Sequence, residues 1–182
     1  RIPQALAVWN PLLLQREDAP SYAFHHYYLN FSGPGFSHQR IQGGFENETG
    51  QTEKVVGMTP KLHFDSVSKR LQHGEFLFQM EDGSERLLTF EKLSETGFYL
   101  GSGHYHGGDG HHHGSWRGQL HVDGDYVENA ALPEVIARYH QFRDCMIRVE
   151  DTATGAIGYG NCQTHVHGAW PDFGLSGDEP MY

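Results

Sequence analysis

The amino-acid sequence predicts an all-β protein, an antiparallel barrel or sandwich carrying one short helix. Three observations predict it. Aromatic residues make up 13% of the chain and glycines number 23, while only 37% of residues are hydrophobic. That composition suits half-buried strands better than a helix bundle. The apolar runs are short and recur at roughly ten-residue spacing, as in sandwiches and barrels. Turn signals separate them, two of these being Asp-Gly, the strongest short hairpin signal.

The elements follow in order. Residues 1–20 contain Pro3, Pro11 and Pro20, so they are expected as a lead-in strap outside the domain. The aromatic run 23–31 is a strand, ended by the turn Ser32-Gly33-Pro34-Gly35. A second strand covers 36–46, with a bend or bulge at Gly43-Gly44. The polar stretch 47–54 is expected as a loop. Residues 61–67 and 74–80 alternate: Leu62 and Phe64 stand against His63 and Asp65, and Phe76, Phe78 and Met80 against Glu75, Leu77 and Gln79. Asp82-Gly83 then turns into a strand over 86–93, and Asp123-Gly124 follows a strand over 117–122. The helix covers 132–142: Pro133 suits a first turn, and Val135, Ile136, Tyr139 and Phe142 share one face. Strands over 143–150 and 156–170 close the pattern. The chain is expected to loosen from Pro171, leaving 21–174 as the domain and 175–182 as a tail.

Size, charge and cysteine content narrow the function classes. A chain of 182 residues makes one domain with a full core. The net charge of −10 opposes binding to nucleic acid or to an anionic membrane surface. No apolar run approaches the ~18 residues of a membrane span. Cys145 and Cys162 are too few for a disulfide scaffold and are expected buried and inert. The expected location is the cytoplasm. Fourteen histidines stand against that negative charge, and protonating all of them would make the net charge positive.

Six of those histidines lie in the Gly-rich stretch 101–121. His104 and His106 form a His-x-His pair, and so do His165 and His167. On a strand, residues i and i+2 face the same side. Two such pairs on neighbouring strands could hold a divalent Zn, Cu or Fe ion, so a metal-dependent reading stays open. The run His111–His113 reads as an exposed loop with adventitious affinity for metals. In the strand 23–31, alternation puts His25 and Tyr27 on one face and His26 and Tyr28 on the other. One pair must face the interior, and His25 with Tyr27 is taken as that pair.

Three segments carry a resemblance. They are RLQHGEFLFQMEDGSERLLTFEKL with its Asp-Gly turn, GSGHYHGGDGHHHGSWRGQLHVDGD with His113, Gly114, Trp116 and Gly118, and GAIGYGNCQTHVHG. From about Tyr22 to Gly174 the chain resembles the C-terminal half of a lipocalin-like family related to carotenoid 1,2-hydratase (hydroxyneurosporene synthase). The third segment departs from the family pattern, with Cys162 or Gln163 where an acidic residue is usual. The resemblance implies a lipocalin-like β-barrel that binds a small lipophilic molecule. It also implies either a homodimer or a second lipocalin-like half. Acid/base chemistry of hydratase, lyase, isomerase or cyclase type is then expected of His104, His106, His113, His165 and His167, with Tyr27, His25, Tyr105, Trp116 and Tyr159 lining the ligand. A metal site of His104, His106, His165 and His167, or a carrier without catalysis, are the alternatives.

Overall fold

The computed structural model describes residues 4–16, 19–98, 115–120, 127–129, 132–135 and 144–177. Eight antiparallel strands run up and down in sequence order and close into a barrel: β1 (Gln4–Arg16), β2 (Ala19–Gly33), β3 (Phe36–Asn47), β4 (Thr52–Phe64), β5 (Leu71–Met80), β6 (Glu85–Phe98), β7 (Asp144–Asp151) and β8 (Ile157–His167). This is the lipocalin-like, all-β architecture expected. Closure comes from β1, which pairs with both β2 and β8.

Strand β1 corrects the expectation of a strap over 1–20. Prolines argue against a paired strand only where the missing N–H is needed. The β1–β8 ladder runs from Ala5↔His167 to Trp9↔Gln163 and resumes at Leu12↔Gly160, skipping Asn10 and Pro11. The break falls on the proline, and the β2 side stays paired through Pro11↔His25. Leu6, Val8 and Leu14, all of one parity, are buried in the core. Strand β4 likewise begins at Thr52, inside the expected loop 47–54. Its Pro60 pairs with Phe76 of β5 on a stretch that has no partner on the β3 side.

Other expectations hold more closely. The hairpin at Asp82-Gly83 forms with Gly83 at φ +87, and Asp82 Oδ1 accepts from both Ser84 N and Ser84 Oγ. Gly35, at φ +82, makes the turn between β2 and β3. Residues 133–135 are helical after a bend at Leu132, and 136–142 of the expected helix lie outside the described residues. Residues 117–120 form a bend and turn instead of the start of a strand, and 121–126 lie outside. Among the described residues no helix is long and apolar enough to cross a membrane.

The lumen is filled by alternate residues of every strand. Phe24, Phe45, Met58, Phe76, Phe78, Leu88, Phe90, Ile147, Val149 and Cys162 belong to one buried cluster. An interior ringed by eight strands is about wide enough for side chains to fill or for one small ligand. At one end the barrel is closed by a polar knot. Arg86 Nε and Nη2 reach Asp151 Oδ2 at 2.8 and 2.6 Å, Tyr22 Oη donates to the same oxygen at 2.6 Å, and Arg86 Nη1 reaches Glu53 at 3.0 Å. The guanidinium lies 3.7 Å above the Phe45 ring, so its apolar face is packed as well. At the other end the chain after β8 turns back over the barrel. Residues Pro171–Phe173 form a 3-10 turn, Trp170 stacks on Phe173 at 5.5 Å, and Leu175 is buried in the core. The expected loose tail from Pro171 is therefore corrected through residue 177, because Leu175 brings a large apolar side chain to the rim.

One seam of the wall is short. Strands β3 and β4 pair only over Gly44↔Lys54, Phe45↔Glu53 and Glu46↔Thr52, although each is 12 residues or longer. Beyond that point, among the described residues, 36–43 pair only with β2 and 55–64 only with β5.

Candidate functional site

Strand β2 supplies the most unusual group in the lumen. Phe24, His26 and Tyr28 point inward and are buried, while Ala23, His25 and Tyr27 point out. The His26 imidazole is 0% exposed. It is ringed by Phe24 at 5.1 Å, Phe78 at 5.2 Å and Phe76 at 5.3 Å between ring centroids. Among the described residues neither ring nitrogen has a hydrogen-bond partner. Burial pushes its pKa down to about 3, and the charge of neighbouring His25 acts in the same direction. At neutral pH His26 is thus a neutral imidazole with one N–H to donate and one nitrogen to accept.

Gly43 makes room for it. It lies opposite His26 on β3, and a Cβ there would stand 2.3 Å from the His25 carbonyl and 2.7 Å from His26 Cα. Two residues along β2, Tyr28 is held differently. Its hydroxyl oxygen accepts from Asn30 Nδ2 at 3.3 Å and from Gln39 Nε2. The inner wall there also carries Thr164 and the directly opposed thiols Cys145 and Cys162. Both cysteines are free and buried, as expected of inert residues. Burial raises both thiols, Cys145 to about 11.

The expected site residues divide sharply. His25 and Tyr27, taken as the inward pair of β2, stand on the outer face, Tyr27 being 36% exposed. Phe24 explains the correction: its face is more apolar than the one bearing Ala23, so burial takes the 24/26/28 set. His165 and His167 also face out, half-buried, because Thr164 and Val166 between and beside them fill the lumen. They lie across from Ala7 and Ala5 of β1. Tyr159 on the same strand is 56% exposed, and Trp116 is 78% exposed. None of these four lines the lumen. His104, Tyr105, His106 and His113 lie outside the described residues, as do His111 and His112. Among the described residues no group of three or more His, Cys, Asp or Glu is placed to hold a metal. His26 is the residue that sequence reasoning passed over, and the Phe24-x-His26-x-Tyr28 spacing was its signal.

The chain matches no protein-family model, no curated protein and no solved structure.

Proposed function

We propose that the barrel binds a small lipophilic molecule carrying one neutral polar group, anchored by His26. The observation that carries this reading is the fully buried imidazole among phenylalanine rings, both of whose nitrogens lack a hydrogen-bond partner among the described residues. An orphaned buried polar group costs about 1–3 kcal/mol, a penalty that a ligand hydroxyl or carbonyl would relieve. A hydroxyl suits best, because it accepts from the imidazole N–H and donates to the other nitrogen. A carboxylate suits poorly. Arg86, the cation stacked over Phe45, is already engaged by Asp151 and Glu53.

The lumen around His26 is closely filled, so the ligand must displace rings instead of entering a void. Phe24 and Phe78 are the side chains to move, and the short β3–β4 seam is the weakest part of the wall through which to move them. Binding without turnover is favoured over acid/base chemistry. His165 and His167 face outward, and an imidazole with a pKa of about 3 is a weak base at neutral pH.

The test is a titration with a fluorescent polyene alcohol such as retinol, with retinoic acid as the anionic counterpart. The alcohol is expected to bind more tightly than the acid. His26→Leu should weaken the alcohol about tenfold, the worth of one good hydrogen bond, and leave the acid unchanged. No binding of either probe, or equal affinity of the variant for the alcohol, overturns the reading. Conversion of the bound probe that is lost in the variant would support the acid/base alternative.

A further inference from the structure

On the outer wall, far in chemistry from the lumen, two histidines meet across strands β4 and β5. His63 and His73 are direct partners in the antiparallel register. Their rings lie 4.4 Å apart between centroids at 20° and both side chains are exposed. We infer that His63 and His73 form a two-imidazole site for a divalent transition-metal ion, with Cu(II) bound most tightly. The argument does not depend on the proposed lumen ligand.

Cross-strand partners have Cβ atoms about 4.5–5.5 Å apart, so two imidazoles on one face can direct a nitrogen each to a common point. In the stack the in-plane nitrogen lone pairs run nearly parallel, so metal–nitrogen bonds of about 2.0–2.1 Å require the two rings to turn out of the stack until their nitrogens converge, which exposed side chains are free to do. Imidazole favours Cu, Ni and Zn, and among first-row divalent ions Cu(II) binds tightest at a given nitrogen site. The remaining coordination positions go to solvent, since no third ligand is placed here among the described residues.

The frame around the pair is rigid. Directly after β4 the loop 65–70 is closed by Asp65 N→Arg70 O at 2.8 Å and Lys69 N→Asp65 O at 3.0 Å. Asp65 Oδ1 accepts from the backbone of Val67 and from the backbone and hydroxyl of Ser68. One oxygen of its carboxylate is thus committed to holding the loop. Ordering the two strands beforehand removes much of the entropy cost of chelation. The charges nearby are mutually paired: Lys61 on β4 with Glu75 at 2.8 Å, and Glu91 of β6, which lies opposite His73, with Arg148 at 3.7 Å.

The experiment is a Cu(II) titration of the full chain followed by amide NMR, which reads each site separately. Paramagnetic broadening should appear at residues 62–64 and 72–74. His63→Gln and His73→Gln should each weaken that response about 10²-fold, as expected when a chelate becomes a single ligand. Broadening from the run His111–His113 should persist in both variants. Both are exposed surface changes, and dispersed amide spectra will verify their folding. Broadening absent from the two strands, or unaltered by either substitution, overturns the proposal.

Discussion

At the scale of the residue, His26 trades stability against a polar contact. In the unfolded chain it takes up a proton near its ordinary value of about 6.5, whereas the folded protein keeps it neutral down to about pH 3. Between those values the unfolded state binds more protons, so stability falls as the pH falls. The loss begins below about pH 6.5, approaches about 1.4 kcal/mol per pH unit, and ends near pH 3. Denaturant unfolding of the wild type and His26→Leu between about pH 7 and about pH 4 should show a shallower slope in the variant. Near neutrality the variant should be as stable as the wild type or more so by about 1–2 kcal/mol, because an unsatisfied group is removed. Parallel slopes would contradict the buried, neutral imidazole. Gly74 supplies a second residue-scale expectation. A Cβ there would lie 2.4 Å from the Lys61 carbonyl and 2.7 Å from Phe90 Cζ, whose ring stacks on Phe76 at 4.7 Å. Gly74→Ala should cost about 1–3 kcal/mol in a chemical melt.

Single elements close the two ends of the barrel by different means. The Arg86–Asp151–Tyr22 knot links β6, β7 and β2. Burial pushes the Asp151 carboxyl up, but hydrogen bonds from Tyr22 and Arg86 and the guanidinium charge outweigh it and hold the pKa below the ordinary value. Arg86→Met keeps the apolar stem and leaves Asp151 buried without its cation. A loss of about 3 kcal/mol in unfolding free energy is expected. At the other rim the cap depends on Leu175, and Leu175→Ala should cost about 2–5 kcal/mol as a core deletion. An unchanged unfolding midpoint would show the tail to be dispensable. Element legibility followed the local signals. Asp82-Gly83 could be read because two backbone sites and one carboxylate make that turn on their own. Strand β1 could not, because Pro11 is tolerated only through a gap in a ladder formed with β8, some 150 residues away.

Over the whole molecule the net charge of −10 with fourteen histidines makes mild acid the strongest global perturbation. Each imidazole with an ordinary pKa gains a proton on acidification, and the long-range repulsion that keeps copies apart shrinks. Sedimentation between about pH 7 and about pH 5 should reveal association or precipitation, and an unchanged profile would refute the expectation. The β3–β4 seam is the other global feature. It leaves residues 36–43 and 55–64 paired on one side only, so barrel opening should begin there. Hydrogen exchange should therefore be faster along those edges than along the doubly paired β1 and β2.

The amino-acid sequence by itself determined the all-β class, the turns at Gly35 and at Asp82-Gly83, the burial of the cysteines and the acidic, histidine-rich character. These depend on composition and on signals a few residues long. It also determined that one of two His/Tyr pairs on β2 would face inward. Tertiary structure decided which pair. The 24/26/28 face wins because Phe24 packs against Phe45 at 4.2 Å and Phe78 at 4.9 Å, contacts supplied by β3 and β5. The same rule turned His165 and His167 outward, since Val166 between them belongs to the core. The facing of His63 and His73 also lay beyond local reading, because a register between two strands exists only after the hairpin has closed.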